Sequence, residues 1–299
     1  MLLRLLFVVF FAAQVNPAGA QLPDDASHAA ELPVRAAPTP RLSCRPTSTA
    51  QRGTALLVHG LNQNPETFDD LEQLFSGLGI RPCTLVLLGH STADDPTAVT
   101  QQQWLAQVVD AYDEIRAGVP ERPVMLVGYS LGAALLIRLL DERPQTKVSG
   151  LVLIAPPVSL QWYSYAIRAL TPLRIFGASV PSLAPEAYRV HPWTSLAMYH
   201  ATLETISHIT PPRTGVMALR QLPALVFLNP RDELVDSDGV VAWIDEHQLE
   251  HWKVTLLTPT PVDEDLPEHL IIDPSSLGEK QWDVFQREVT SFVDRICPQ

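Results

Sequence analysis

The chain has 299 residues, with 33 acidic against 21 basic side chains and a formal net charge of −12. That length holds a sizeable core in one large or two modest domains. The acidic balance, without any run of Lys or Arg, excludes a nucleic-acid binder that tracks phosphates along a basic face, and the mixed composition carries neither an internal repeat nor a low-complexity tract.

The first twenty residues read as an export signal. Arg4 supplies a positive start, residues 5–13 are continuously apolar, and Ala18-Gly19-Ala20 has the small-x-small pattern of a cleavage site. The apolar run is too short to span a bilayer. The expectation is a secreted or periplasmic protein beginning near Gln21. Residues 21–52, rich in Ala and Pro up to Pro40, read as a loose leader. Of three cysteines, Cys44, Cys83 and Cys297, an oxidising compartment allows one pair and leaves one thiol. Cys44 precedes the first core strand and Cys83 opens the next, so the reading leans to Cys44–Cys83. Neither a C-x-x-C nor a metal-ligand spacing occurs, so no metal site is assigned.

Residues 54–58 (TALLV) are the first buried strand and run into His59-Gly60-Leu61-Asn62. A helix is expected over 67–78, and a second strand over 84–88 ends at Gly89-His90-Ser91. A helix over 99–116 carries Trp104, Leu105, Val108, Val109, Tyr112 and Ile115 at helical spacing. Residues 124–127 form the next strand and lead through Gly128-Tyr129-Ser130-Leu131-Gly132 into a helix over 133–140. This is strand, sharp turn and helix with a serine at the apex, the arrangement of a nucleophile elbow. Glycine at 128 and 132 removes the side chains that would collide when such a turn closes. Further strands are expected at 148–154, 225–228 and 253–257, with a closing helix over 279–296. Strands apolar on both faces that alternate with helices give an α/β fold, a mostly parallel central sheet covered by helices on both sides.

Residues 158–222 interrupt the alternation. They hold Trp162, Tyr163, Tyr165, Phe176, Tyr188, Trp193 and Tyr199 among many prolines, and they sit where a helical lid would be inserted over the strand ends. The aromatics either line an apolar acyl pocket or hold a small subdomain together. The division is then a core of 53–157 and 223–299 with an inserted lid or cap of 158–222.

The ordered set His59-Gly60-Leu61, Gly128-Tyr129-Ser130-Leu131-Gly132, Asn229-Pro230-Arg231-Asp232 and a late His269 resembles the α/β-hydrolase superfamily, most closely its branch of monoacylglycerol lipases, lysophospholipases and carboxylesterases. One departure is the turn after the second strand, Leu88-Gly89-His90-Ser91, where relatives often have an Arg-Gly-His-Gly type turn. Another is the region before Gly53, short of the usual opening strands. The resemblance implies a serine hydrolase of acyl esters that needs no cofactor and meets a small-molecule or lipid ester, in transient contact with lipid interfaces.

Ser130 is the candidate nucleophile, which needs a base in hydrogen-bond contact. Of nine histidines, only His269 follows the last strand and precedes the closing helix, where the superfamily carries its base. Asp232, directly after the strand at 225–228, is the candidate acid. Asp236 and Asp238 are its rivals, or caps of the helix that follows. The acidic run Asp263, Glu264, Asp265 and Glu268 reads as a solvated loop that raises the imidazole pKa if it comes close. The oxyanion donors are the amide of Leu131, after the nucleophile, and by resemblance that of Leu61, with His59 bracing its loop. The alternatives are a proline-iminopeptidase-type aminopeptidase, which would need carboxylates to take the substrate amine where the lid offers only Glu186 and Glu204, and a non-catalytic hydrolase-like binding protein.

Overall fold

The computed structural model describes residues 41–209, 216–261, 263 and 265–298, so the export signal and most of the leader lie outside the described residues. In chain order the elements are β1 (Arg41–Cys44), β2 (Gly53–Val58), α1 (Asp69–Gly77), β3 (Ile80–Val86), α2 (Gln101–Gly118), β4 (Val124–Tyr129), α3 (Leu131–Glu142) and β5 (Gly150–Ile154). There follow β6 (Ser179–Pro181), β7 (Trp193–Ser195), α4 (Leu196–Ile209), α5 (Val216–Gln221), β8 (Ala224–Leu228), α6 (Ser237–Glu246), β9 (Trp252–Leu256), α7 (Pro274–Leu277) and α8 (Glu279–Ile296).

Seven strands form one sheet in the order β1-β3-β2-β4-β5-β8-β9. All pairs are parallel except β1 with β3. The central strands β2, β4, β5 and β8 are buried along their whole length, as expected for strands covered by helices on both faces. From β2 the chain steps outward to β3, then returns to place β4 on the other side of β2. The strand order therefore reverses between β2 and β4, and the crevice beyond their carboxyl ends is where open α/β sheets take ligands. His59-Gly60-Leu61 and Ser130 emerge there.

The sequence reading of a loose leader over 21–52 is corrected at its end. Arg41–Cys44 is an antiparallel edge strand, with Cys44 opposite Cys83, and these two cysteines form a disulfide. A four-residue strand is too short for side-chain alternation to reveal it. Its partner strand starts at Ile80, before residue 84, because burial and pairing continue back through the turn at Gly79.

Between β5 and β8 the chain leaves the sheet. Two 3-10 helical stretches, Trp162–Ala169 and Thr171–Phe176, precede a small antiparallel pair of β6 with β7, and α4 then packs on α3. This cap segment touches the core loops at two isolated bridges, Leu160 with Val235 and Gln63 with Arg189.

Candidate active site

The elbow follows from local sterics. Ser130 stands at φ 50°, ψ −115°, an unfavourable conformation for a residue with a side chain. The turn closes only because its neighbours are glycines. A Cβ on Gly128 would lie 2.6 Å from the amide nitrogen of Ala133, and one on Gly132 would lie 1.9 Å from the carbonyl oxygen of Val58. The Ser130 amide donates to Ile154 O at 2.9 Å, which ties the elbow to β5. Helix α3 begins at Leu131, so its first amides and the positive end of its dipole lie beside the serine.

Three side chains from separate loops form one hydrogen-bonded chain. Ser130 Oγ lies 2.9 Å from His269 Nε2, and His269 Nδ1 lies 2.7 Å from Asp232 Oδ2. A carboxylate can only accept, so Nδ1 carries the proton and Nε2 is left to accept from the serine hydroxyl. Asp232 is 3% exposed, and its other oxygen accepts the amides of Leu234 at 2.7 Å and Val235 at 2.9 Å. Its orientation is thereby fixed by backbone. Asp236 and Asp238 stand away from this chain. Asp236 takes the N-cap position of α6, but its carboxylate accepts from Ser159 Oγ at 3.3 Å instead of capping.

The loop that carries His269 is fastened to the loop that carries Asp232. Asn229 Nδ2 donates to the carbonyl of Glu268 at 2.8 Å, Arg231 pairs with the Glu268 carboxylate at 3.2 Å, and the His269 amide donates to Glu233 Oε2 at 3.0 Å. Tyr129 OH donates to the His269 carbonyl at 3.2 Å. Burial pulls the imidazole pKa down, but the Asp232 carboxylate, with the charge of Glu233 behind it, more than offsets this, so His269 stands above the ordinary histidine value. Among the described residues the acidic run at 263–268 is not the source of that field. Glu268 is spent on Asn229 and Arg231, Glu264 lies outside the described residues, and Glu233 takes the part. Sequence reading missed Glu233, which follows the candidate acid directly; that adjacency was the available signal.

Leu61, on the turn after β2, lines the same cavity as Ser130, and Leu131 starts α3 directly after the serine. Among the described residues neither amide is taken by a protein acceptor, so both are free to face a developing negative charge. Two buried histidines support the Leu61 turn. His59 Nδ1 donates to Gly60 O at 2.9 Å and its Nε2 accepts from Leu87 N at 3.2 Å. His90 Nδ1 donates to Leu88 O at 3.2 Å and its Nε2 accepts from Asn62 N at 2.9 Å. Burial lowers His59 to about 4 and holds His90 well below the usual value, so both are neutral. His90, part of the unusual Gly-His-Ser turn, is thus a brace of the Leu61 turn.

Ser130 and His269 open on a cavity of ≈ 210 Å³. Its cap side carries the aliphatic side chains Leu160, Ile167, Leu183, Leu203 and Ile206, beside the hydroxyls of Ser164, Ser182, Thr194 and Thr202. Of the two roles open to the cap aromatics, pocket lining holds for Tyr188 and Tyr199, while Trp162, 77% exposed, and Phe176, 70% exposed, fill neither role. Aromatic residues in a short, proline-rich segment carry no periodicity that would tell an inward from an outward face. Glu233 also lines the cavity and is its one carboxylate among the described residues.

A mostly parallel, doubly covered sheet with this elbow at its switch point is the α/β-hydrolase fold. The signature of the family described as Serine aminopeptidase, S33, matches residues 49–196. Monoglyceride lipase from Mus musculus is 31% identical over 121 residues, 39% of this chain and 40% of that protein, and the Homo sapiens protein of the same name is 25% identical over 148 residues, 48% of each. The alignments thus span about two fifths to a half of the curated relatives. The fold is shared more widely: a soluble variant of monoglyceride lipase from Saccharomyces cerevisiae in complex with a substrate analog superposes with a TM-score of 0.68 at 14% identity, covering 86% of this chain and 91% of that one. A monoacylglycerol lipase from Paleococcus ferrophilus gives 0.63 at 17% identity, covering 85% and 98%. The chain thus has the α/β-hydrolase fold and, over part of its length, is similar in sequence to the monoglyceride lipases.

Proposed function

We propose that this protein is a serine esterase that cleaves carboxylic acyl esters, of the monoacylglycerol, lysophospholipid or simple carboxylester kind, by transferring the acyl group to Ser130 and then to water. The observation that carries the reading is the unbroken chain Asp232–His269–Ser130 at the mouth of a mostly apolar cavity. His269 takes the hydroxyl proton as Ser130 Oγ attacks the acyl carbonyl, and Asp232 stabilises the imidazolium that forms. The amides of Leu61 and Leu131 receive the oxyanion, each worth on the order of 3 kcal/mol in the transition state. The imidazolium then returns its proton to the leaving alcohol, and a water activated by the same base releases the acid. With the export pattern of the first twenty residues, the reading places this reaction outside the cytoplasm, on esters that lie at or near lipid surfaces.

A second reading, an aminopeptidase of the proline-iminopeptidase type, is favoured by one feature. Glu233 supplies the cavity with the carboxylate that binding a substrate amine needs, though from the core and not from the cap. The test is hydrolysis of p-nitrophenyl esters of increasing chain length by the mature protein beside Ser130→Ala, with aminoacyl amides run in parallel. Ser130-dependent ester turnover, with a loss on the order of 10³-fold or more in the variant, is the expected result. Turnover of the amides alone would favour the second reading, and ester turnover unchanged in Ser130→Ala would sink the first.

A further inference from the structure

We propose that Asn62 is a positioning residue, a latch that fixes the Leu61 oxyanion donor by fastening its turn to residues 188–194 of the cap. The inference rests on the esterase reading of the site and adds to it a residue that touches no substrate atom.

Asn62 directly follows Leu61, is 2% exposed and stands at φ 53°, a left-handed conformation that Asn tolerates better than most residues. Every polar group it owns is engaged. Its amide donates to His90 Nε2 at 2.9 Å, on the core side. All its other bonds cross to the cap. Its carbonyl accepts from Val190 N at 3.0 Å, and Oδ1 accepts from His191 N at 3.0 Å. Nδ2 faces the carbonyl of His191 at 2.8 Å, Thr194 Oγ1 at 3.0 Å and Ser182 Oγ at 3.2 Å. A backbone amide can only donate and a backbone carbonyl can only accept, so His191 alone fixes which way round the side-chain amide lies. An Asp at this position would still accept from His191 N but would turn a carboxylate oxygen on the His191 carbonyl.

The contact continues along the chain. Asn64 N donates to Tyr188 O at 2.9 Å, Gln63 bridges Arg189, and His191 Nε2 meets Gly89 O at 3.0 Å. The Leu61 amide therefore lies between Gly60, held by Gln63 Oε1 at 2.6 Å, and Asn62, held by the cap. An oxyanion donor works only at its correct position, and a displacement of about 1 Å can cost on the order of 100-fold in rate. The cap face that carries Ser182 and Tyr188 is thus part of the frame of the oxyanion turn. The exposed stretch around Trp162 and Phe176 lies outside this latch.

The experiment uses the full mature chain with Asn62→Gly, which keeps the left-handed turn unstrained while deleting the side chain, and with Thr194→Val, which removes one acceptor from the cap side without touching the turn. Two readouts are taken: kcat and KM on a p-nitrophenyl ester per site counted with a fluorophosphonate, and amide hydrogen exchange. In Asn62→Gly, kcat falls roughly tenfold to 100-fold with KM within about threefold, and the amides of Val190 and His191 lose protection while the central strands keep theirs. In Thr194→Val, kcat falls about threefold. The proposal is overturned if kcat per titrated site stays within twofold in both variants, if the loss lies in KM alone, or if Val190 and His191 keep their protection. Should Ser130→Ala retain ester turnover, the esterase reading fails by itself, and the exchange arm still decides whether Asn62 holds turn and cap together.

Discussion

At the scale of single residues, the site is a set of acceptors and donors each given one role by its neighbours. In the proposed reaction His269 must be neutral to take the proton of Ser130, and its pKa stands above the ordinary value of about 6.5 because Asp232 and Glu233 outweigh the cost of burial. The rate is therefore lost as the pH falls through that raised value. Replacing Glu233 with Gln keeps an oxygen for the His269 amide, now at 3.0 Å from Oε2, and removes one negative charge. The imidazole pKa then drops, and the acid limb of kcat/KM moves to lower pH. A pH–rate profile of Glu233→Gln whose acid limb stays in place would show that the carboxylate acts through its hydrogen bond alone.

Among the elements, β4, the elbow and α3 carry the tightest steric demand. Helix α3 can approach β2 closely enough to set Leu131 beside Ser130 only because position 132 has no side chain. A Cβ there would lie 1.9 Å from the Val58 carbonyl oxygen and 2.9 Å from that of His59, backbone atoms that cannot swing aside as a side chain could. Gly132→Ala is expected to destabilise the fold by about 3 kcal/mol or more, read as a lowered urea midpoint, with esterase activity lost even in the protein that remains folded. A change within 1 kcal/mol would mean that strand and helix can separate at little cost.

Over the whole molecule, two features tie the sheet to solution conditions. His59 and His90 are buried neutral between the β2 and β3 turns, and the pKa of His59 is lowered to about 4. The unfolded chain takes up protons below about pH 6.5 that the folded chain refuses, so stability is full above that value and falls as the pH drops toward 4. His59 alone accounts for about 2 kcal/mol by pH 5, and urea unfolding at pH 7.5 and pH 5 would reveal a flat profile if the two rings protonate in place. The Cys44–Cys83 bridge closes a stretch of sequence separation 39 and secures the edge strand β1. On loop entropy its removal is worth about 4 kcal/mol; Cys44→Ser with Cys83→Ser should unfold at markedly lower denaturant, and an unchanged midpoint would mean that β1 holds by pairing alone.

The sequence by itself determined what depends on local chemistry and short spacing. Buried strands declare themselves by continuous apolar runs, and the elbow by glycines that a strained turn requires. The order of Ser130, Asp232 and His269 follows from strand ends that all point to one side of a parallel sheet. What it left open depends on contacts between residues far apart in the chain. The Arg41–Cys44 strand gains its partner only from β3, and Glu233 meets the His269 amide only once two loops close on each other. The outward turn of Trp162 and Phe176 and the inward turn of Leu160 and Ile206 are set by how the cap lands on the core. Asn62 illustrates the limit most directly: it adjoins a recognised turn, yet five of its six hydrogen bonds reach residues 182–194, more than a hundred positions away. Such pairings are chosen by the packed fold, because burying a polar group obliges it to find a partner wherever the tertiary structure brings one.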